Sequence, residues 1–342
     1  MEWYWTALLY TSSAYVSVGL ILFIFPIYRL RNPIKINTSR NGMIIGTHRG
    51  GSWERVENTL PAFRHSHRLG MDLFELDVRM TKDKQVVVHH DKSLVRLTGV
   101  EADVEDTNYA DLPPCMEEVR LPTFEGTYKQ KPGQDDGKIP LLKDVFEEFP
   151  DSVMNIDLKN GSTEHLSEVY KMIVEYKRED ITYFGNMNDK KNLQAQEMGK
   201  EAGIRSFASI KYTIRTVILY LLGLLQFFPY RYHMIWFPFF GHKFRTELYE
   251  HFGKKPMIWV AIKLYSCLTP LLKPMFWHLR KRGVTVMFYS INSEDEVIRA
   301  RNYPIDGFIT DAPAKIRSAL DSLNGRVDTD EHLLETSNKK NE

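Results

Sequence analysis

The sequence predicts an α/β fold, a barrel of parallel strands carried behind an apolar N-terminal helix, and three observations predict it. Short apolar runs end in residues able to do chemistry: Met43-Ile44-Ile45 leads to His48 and Arg49, Leu73 to Val78 holds Glu75 and Asp77, Val86-Val87-Val88 leads to His90 and Asp91, and Ser152 to Lys159 holds Asp157 and Lys159. Polar groups gathered at the carboxyl ends of several strands are the arrangement of a barrel with its site at the top. From Pro140 onward strand and helix patterns alternate, as a parallel sheet requires. Trp3 to Tyr28 contains no charged residue and outruns the roughly 20 residues needed to cross a bilayer.

The first element is a transmembrane anchor over residues 3–28, with Trp3, Tyr4 and Trp5 at one end and Tyr28 at the other as interfacial rings. A cleaved signal peptide would want a basic start and a shorter apolar core, whereas this chain begins Met1-Glu2. The barrel domain is expected over 41–322. Because side chains alternate along a strand, Glu75 and Asp77 fall on one side and Phe74, Leu76 and Val78 on the other, and Asn155, Asp157 and Lys159 share a face in the same way. Asn58 and Thr59, followed by Leu60-Pro61-Ala62-Phe63, read as the cap of a helix. Residues 101–138 are acidic, contain Pro113-Pro114 and Lys131-Pro132-Gly133, lack apolar periodicity, and read as an insertion lying over the mouth of the site.

Beyond the insertion, helices are expected at Leu141 to Phe149, Glu164 to Lys177 and Lys190 to Glu201, and strands at Val153 to Leu158, Ile181 to Phe184 and Ser206 to Ser209. Residues 212–277 form an apolar, membrane-associating region. Thr216 to Tyr230 carries no charge, yet it is short for a span, and a crossing there would put the last strands of a closed barrel across the membrane from the first. An interfacial surface rimmed by Arg215, Arg231, Lys243 and Arg245 fits better. Gly307-Phe308-Ile309 followed by Thr310-Asp311-Ala312-Pro313 reads as the last strand, its turn and a helix start, structure rather than chemistry. Residues 325–342 are polar and expected to be disordered.

Two carboxylates converging on one side are costly unless something positive separates them. Mg²⁺ or Ca²⁺, which prefer oxygen ligands, would do so, with Asp157 as a third ligand. One imidazole of His48 and His90 can take a proton while the other gives one, the division of labour that displacement at phosphorus needs. Lys159 offers a cation to a phosphate oxygen. Alone, each residue has a plainer reading: a core or surface histidine, a solvated strand face, a surface ion pair. Together and in this order they read as metal-assisted phosphodiester chemistry. Asp91 serves equally as an orienter of His90 or as the start of a turn.

In sequence order, His48-Arg49-Gly50, Glu57-Asn58-Thr59, Glu75-Leu76-Asp77, His90-Asp91 and the later Asp157-x-Lys159 resemble the glycerophosphodiester phosphodiesterase family, from about Met43 to about Leu320. The apolar amino terminus and middle resemble its animal membrane-bound members that act as lysophospholipase D. The resemblance implies a (β/α)₈ TIM barrel, with His48 and His90 as acid and base. It implies Glu75, Asp77 and Asp157 around one divalent cation, Mg²⁺ or Ca²⁺, and Arg49, Lys159 and Tyr289 on the substrate. His90 rather than His89 is the site histidine because it precedes Asp91. Asp157 stands where many members have Glu, and Tyr289, in Tyr289-Ser290-Ile291-Asn292, where Trp is common. The function implied is hydrolysis of lysophospholipids to lysophosphatidic acid and a free alcohol. The alternatives are a phosphodiesterase for water-soluble glycerophosphodiesters and a catalytically silent membrane scaffold, the latter opposed by the intact residue set. Whether water or the substrate's own hydroxyl attacks stays open.

A chain of 342 residues with 43% hydrophobic content buries one large core and leaves a membrane appendage over. The net charge of +1, from 45 basic and 44 acidic residues, offers no field for nucleic acid. The expected partners are a lysophospholipid and the lipid bilayer. Cys115 and Cys267 have no zinc or disulfide spacing, and no Walker A, GxGxxG or GxSxG pattern occurs. Arg29, Arg31, Lys35 and Arg40 follow the anchor while only Glu2 precedes it, which puts the barrel on the cytosolic side. Lys339-Lys340-Asn341-Glu342 resembles a dilysine signal of endoplasmic reticulum membrane proteins. The glycosylation patterns at Asn37 and Asn160 pull toward the lumen, so sidedness stays open.

Overall fold

The computed structural model describes residues 2–30, 34, 36, 42–121, 126–159, 161–239, 241, 249, 253 and 255–323. Its strands are β1 (Ile44–Thr47), β2 (Leu73–Met80), β3 (Val86–Val88), β4 (Glu118–Arg120), β5 (Thr127–Lys129), β6 (Val153–Leu158), β7 (Thr182–Gly185), β8 (Met234–Pro238), β9 (Thr285–Tyr289) and β10 (Gly307–Thr310). Parallel pairing runs β7-β6-β2-β1-β10-β9-β8, and β3 lies antiparallel on β2. The eighth place in the ring is held by residues 205–207, where Arg205 bridges Tyr183 and Phe207 bridges Met234, both in parallel. The predicted strand at Ser206 to Ser209 is therefore a seam of two bridges, and Ser209 instead caps the next helix, its side chain accepting from Tyr212 N. The result is a (β/α)₈ barrel.

The helices on its outside sit where the periodicity predicts, at Leu142–Glu148, Thr163–Glu175 and Asp189–Lys200. Ser162 and Asn188 cap the second and third by accepting backbone N–H groups. Alternation on β2 and β6 divides the core in two. Phe74, Leu76, Val78, Met154, Ile156 and Leu158 pack outward under the helices. Leu73 and Val153 point inward and join Tyr183, Phe207, Met234, Trp236, Met287 and Ile309 in the barrel's own filling. Glu75 and Asp77 continue the inward row toward the strands' carboxyl ends, which carries them to the mouth.

Residues 101–138 hold the antiparallel pair β4 and β5 around a small separate core of Val104, Cys115, Val119, Leu121 and Tyr128, which also takes in Val56 and Val87. Strands of three residues are too short to show a period in the sequence.

The N-terminal helix, Glu2–Ile24, is the one candidate membrane span among the described residues. Its C-terminal half rests on the barrel domain. Tyr15 Oη donates to Gly223 O at 3.1 Å, Phe23 stacks on His278 at 4.4 Å, and Arg282 Nε donates to Tyr28 O at 2.9 Å. The apolar middle begins with the helix Ile210–Leu221, turns at Leu225–Phe227 and returns to the barrel as β8. Helices Pro256–Leu268 and Lys273–Lys281 follow before β9. The predicted tail at 325–342 with its dilysine, the basic Arg31, Lys35, Arg40, Lys243 and Arg245, and the asparagines Asn37 and Asn160 lie outside the described residues.

Candidate active site

His48 and Arg49 stand in the tight turn His48–Gly50 just past β1. The turn needs unusual backbone: Arg49 has φ 51 and Gly51 φ 95, and a Cβ on Gly51 would lie 2.7 Å from Pro313. Such a strained arginine persists because its surroundings fix it at several points. Arg49 N donates to Glu75 Oε2 at 3.0 Å, its Nη1 donates to Glu57 Oε1 at 3.0 Å, and its Nε lies 3.3 Å from Asp77 Oδ2. His48 Nδ1 lies 2.7 Å from Asp311 Oδ1 and its Nε2 4.0 Å from Glu75 Oε2. Since the Asp311 carboxylate receives Nδ1–H, Nε2 is left as the working nitrogen.

The carboxylates come from neighbouring strands in register, Glu75 opposite Asn155 and Asp77 opposite Asp157. Lys159 Nζ joins two of them, 2.6 Å from Asp157 Oδ2 and 2.9 Å from Asp77 Oδ1. Burial works to raise the Asp77 carboxyl, but Lys159, His90 and Arg49 outweigh it and hold it well below the ordinary range. Glu75 goes the other way: burial, with the Asp77 charge adding to it, pushes its carboxyl up to about 8. Asp157 Oδ1 and Asn155 Oδ1 are buried and accept no hydrogen bond. An oxygen-rich set short of positive charge fits a hard divalent cation. Among the described residues no three acidic, histidine or cysteine ligands stand as a finished cage; Lys159 supplies part of the charge.

His90 is partly exposed, with Nδ1 2.7 Å from Asp91 Oδ1. Asp91 is held in turn by Arg96 Nε at 2.5 Å, and Arg96 also clamps Glu57 at 2.7 Å. His90 Nε2 is thus presented as His48 Nε2 is, by a carboxylate on the far nitrogen. His89 is buried, which pushes its imidazole down to about 4, the charges of Glu57 and Asp91 not outweighing the burial. Burial works to raise Glu57, but Arg49 and Arg96 outweigh it and hold the carboxyl down at about 2.

These groups border a cavity of about 540 Å³ whose polar end is His48, Glu75, Asn155, Asp157 and Lys159, and whose other walls are apolar: Ile210, Ile214, Val217 and Ile218 from one helix, Trp236, Tyr265, Tyr289 and Ile309. Tyr289 lies on this wall, while Arg49, Asp77 and His90 lie behind or beside it. Among the described residues, none of 101–138 lines the cavity.

Two residues read as structural, Asp311 and Asn58, and a third that was given no role, Glu57, have more to do. Asp311 is fully buried, receives Ser52 Oγ at 2.7 Å and Asn292 Nδ2 at 2.8 Å, and orients His48. Asn58, at φ 58, donates to Asp77 Oδ2 at 2.9 Å, so only Thr59 is the cap, accepting from Ala62 N. Glu57 braces the two arginines. The family-like order of Glu57-Asn58-Thr59 was the available signal for Glu57 and Asn58; for Asp311 its place directly after the last strand was.

The family model described as "Glycerophosphoryl diester phosphodiesterase family" matches residues 48–315. The chain is 36% identical to lysophospholipase D GDPD1 of Mus musculus over 279 residues, 81% of this chain and 86% of that protein. It is 29% identical to lysophospholipase D GDPD3 of Homo sapiens over 309 residues, 86% and 92% of the two. A glycerophosphodiester phosphodiesterase crystal structure from Thermotoga maritima matches the fold with a TM-score of 0.53 at 23% identity, over 80% of this chain and 97% of that one. With its barrel, its paired imidazoles and its carboxylate cluster, the chain belongs to the glycerophosphoryl diester phosphodiesterase family and is a phosphoric diester hydrolase.

Proposed function

We propose that the protein is a membrane-anchored lysophospholipase D that hydrolyses lysophospholipids to lysophosphatidic acid and a free alcohol, with one divalent cation, Mg²⁺ or Ca²⁺. The observation that carries this reading is the cavity itself: a phosphate-sized polar end opens directly onto walls of isoleucine, tryptophan and tyrosine that match a single acyl chain. The names of the two curated relatives point the same way.

His48 at the cavity wall and His90 beside it, each with Nδ1 held by a carboxylate, are the acid and the base: one takes the proton of the attacking hydroxyl and the other returns a proton to the leaving alcohol. Lys159 carries positive charge at the cavity wall for a phosphate oxygen, and Arg49 adds charge from behind Asp77 while locking the turn that bears His48. Glu75, Asp77 and Asp157 are the residues that would hold the cation. When bound, it would polarise a phosphate oxygen. Tyr289 shapes the wall beside the leaving group. Arg29, Arg31, Lys35 and Arg40 after the anchor, against Glu2 before it, support a cytosolic barrel.

The test is a phosphodiesterase assay of purified protein on lysophosphatidylcholine and glycerophosphocholine, with Mg²⁺, Ca²⁺ or chelator. Faster cleavage of the lipid, abolished by chelator and restored by a divalent ion, is expected. Preference for glycerophosphocholine would move the protein to the water-soluble substrates, full activity in excess chelator would remove the cation, and inertness on both would leave a scaffold.

A further inference from the structure

The N-terminal helix sets a depth scale for whatever touches it. At about 1.5 Å per residue, Tyr15 lies about 13 Å from the Ile24 end of the helix. Its hydroxyl reaches Gly223 O, its ring stacks on Phe227 at 5.5 Å, and Gly19 lies against Gln226 and Phe227. Half of a hydrocarbon core is about 15 Å. If the helix crosses the membrane, the turn that follows Ile210–Leu221 must lie deep in the adjoining leaflet.

The chemistry along that second helix agrees. Ile214, Ile218, Leu221 and Leu222 are 57%, 51%, 57% and 63% exposed, a row of large apolar side chains that water would not support. Lys211 and Arg215 are exposed near the start of the helix, about 15 Å and 9 Å back along the axis from Leu221, at the height of the head groups when Leu221 is deep. The helix has 12 residues, about 18 Å, against roughly 30 Å for a full crossing, and the chain then returns to the barrel as β8. Ile214 and Ile218 also line the catalytic cavity, so the side of the helix that faces lipid borders the mouth. Tyr220 Oη donates to Leu271 O at 2.9 Å and ties this element to the neighbouring helices, where Met257, Val260 and Leu264 are exposed as well.

We infer that the Ile210–Leu221 helix and the turn after it are immersed in the leaflet next to the barrel, and that the cavity opens into that leaflet, so that a single-chain lipid reaches His48 sideways from the membrane. The inference rests on the anchor and on the lysophospholipid reading, and its test separates them.

Full-length protein carrying Cys267→Ser, with the buried Cys115 left in place, is given one nitroxide label at Val16→Cys, Lys211→Cys or Leu222→Cys and reconstituted into phosphatidylcholine vesicles. Collision rates with oxygen and with a water-soluble nickel chelate report depth. Hydrocarbon depth is expected at Val16 and Leu222 and head-group depth at Lys211. A Leu222 label in water with Val16 in hydrocarbon overturns the immersion alone; both in water overturn it together with the anchor. In parallel, the full-length double variant Leu221→Glu, Leu222→Glu should lose at least 10-fold in turnover of lysophosphatidylcholine in vesicles and keep its rate on glycerophosphocholine. Equal loss on both substrates, or none on either, overturns sideways entry. A wild-type protein inert on both overturns the functional reading, and the label depths then decide the immersion.

Discussion

At the scale of single residues, the site is a set of groups that fix one another. His48 and His90 are both oriented through Nδ1, by Asp311 and Asp91 at 2.7 Å, so His48→Ala and His90→Ala should each lower turnover by at least about 10²-fold with the fold retained. His89→Ala should do far less, because that ring is buried and held neutral; steady-state rates on lysophosphatidylcholine, with circular dichroism as the fold check, settle which histidine works. Glu57 has a pH signature. Its folded carboxyl is held at about 2 against an ordinary 4.5, so folding favours the charged form, and that stabilisation is complete above pH 4.5 and fades as pH falls toward 2. Glu57→Gln removes the carboxylate that joins Arg49 to Arg96 and leaves each with one carboxylate, Asp77 and Asp91; it should cost about 1.5–3 kcal/mol at neutral pH, while flattening the acid decline in that window. Thermal melts of both proteins from pH 7 to pH 3 read the difference, and parallel curves would show that Glu57 carries no such linkage. Glu75, Asp77, Asp157 and Lys159 were legible in the sequence because strand alternation alone puts them on one face. Asp311 was not, since its partner lies 263 residues away and its place directly after the last strand also suits a plain turn, and Asn58 was masked by a neighbour that truly is a cap.

At the scale of elements, what was legible is what is periodic. The helices after β6 and β7 lie within a residue or two of their predicted ends because Ser162 and Asn188 cap them where apolar periodicity begins. The strand expected at Ser206 to Ser209 was over-read: Phe207 and Ala208 are apolar, but only Arg205 and Phe207 pair. The helix Ile210–Leu221 starts earlier than the uncharged stretch at Thr216, since Lys211 and Arg215 hide its start from a composition reading, though Ile210, Ile214 and Ile218 recur every four residues behind the Ser209 cap. Caps make a direct prediction. Thr59 accepts from Ala62 N at 3.4 Å and donates to Val56 O at 2.7 Å, and the helix it opens carries Phe63 into the core under the His48 turn. Thr59→Ala should therefore cost about 1 kcal/mol and Thr59→Ser much less, as denaturant midpoints would show; equal midpoints for all three proteins would leave the cap without weight.

At the scale of the whole molecule, the barrel domain was legible from the apolar runs at β1, β2, β6, β7 and β10 and from the family-like order of the motifs, whereas β8 lay hidden in the apolar middle and β9 was not predicted. The seating of the N-terminal helix on the barrel domain was only half legible: the helix stands out by its apolar composition, but the contact of Tyr15 with Gly223 joins segments 208 residues apart. An integral anchor predicts that alkaline carbonate leaves the chain in the membrane pellet and that only detergent extracts it; release by carbonate would show that the helix lies on the bilayer rather than in it. The distance between His48 and Asp311 along the chain has a further consequence in time. The ring closes by pairing β1 with β10, and the imidazole that follows β1 receives its orienting carboxylate just after β10. During synthesis the apolar N-terminal helix and most of the barrel emerge before that partner exists, so a chain that ends before β10 lacks both the strand that closes the ring on β1 and the carboxylate that orients His48.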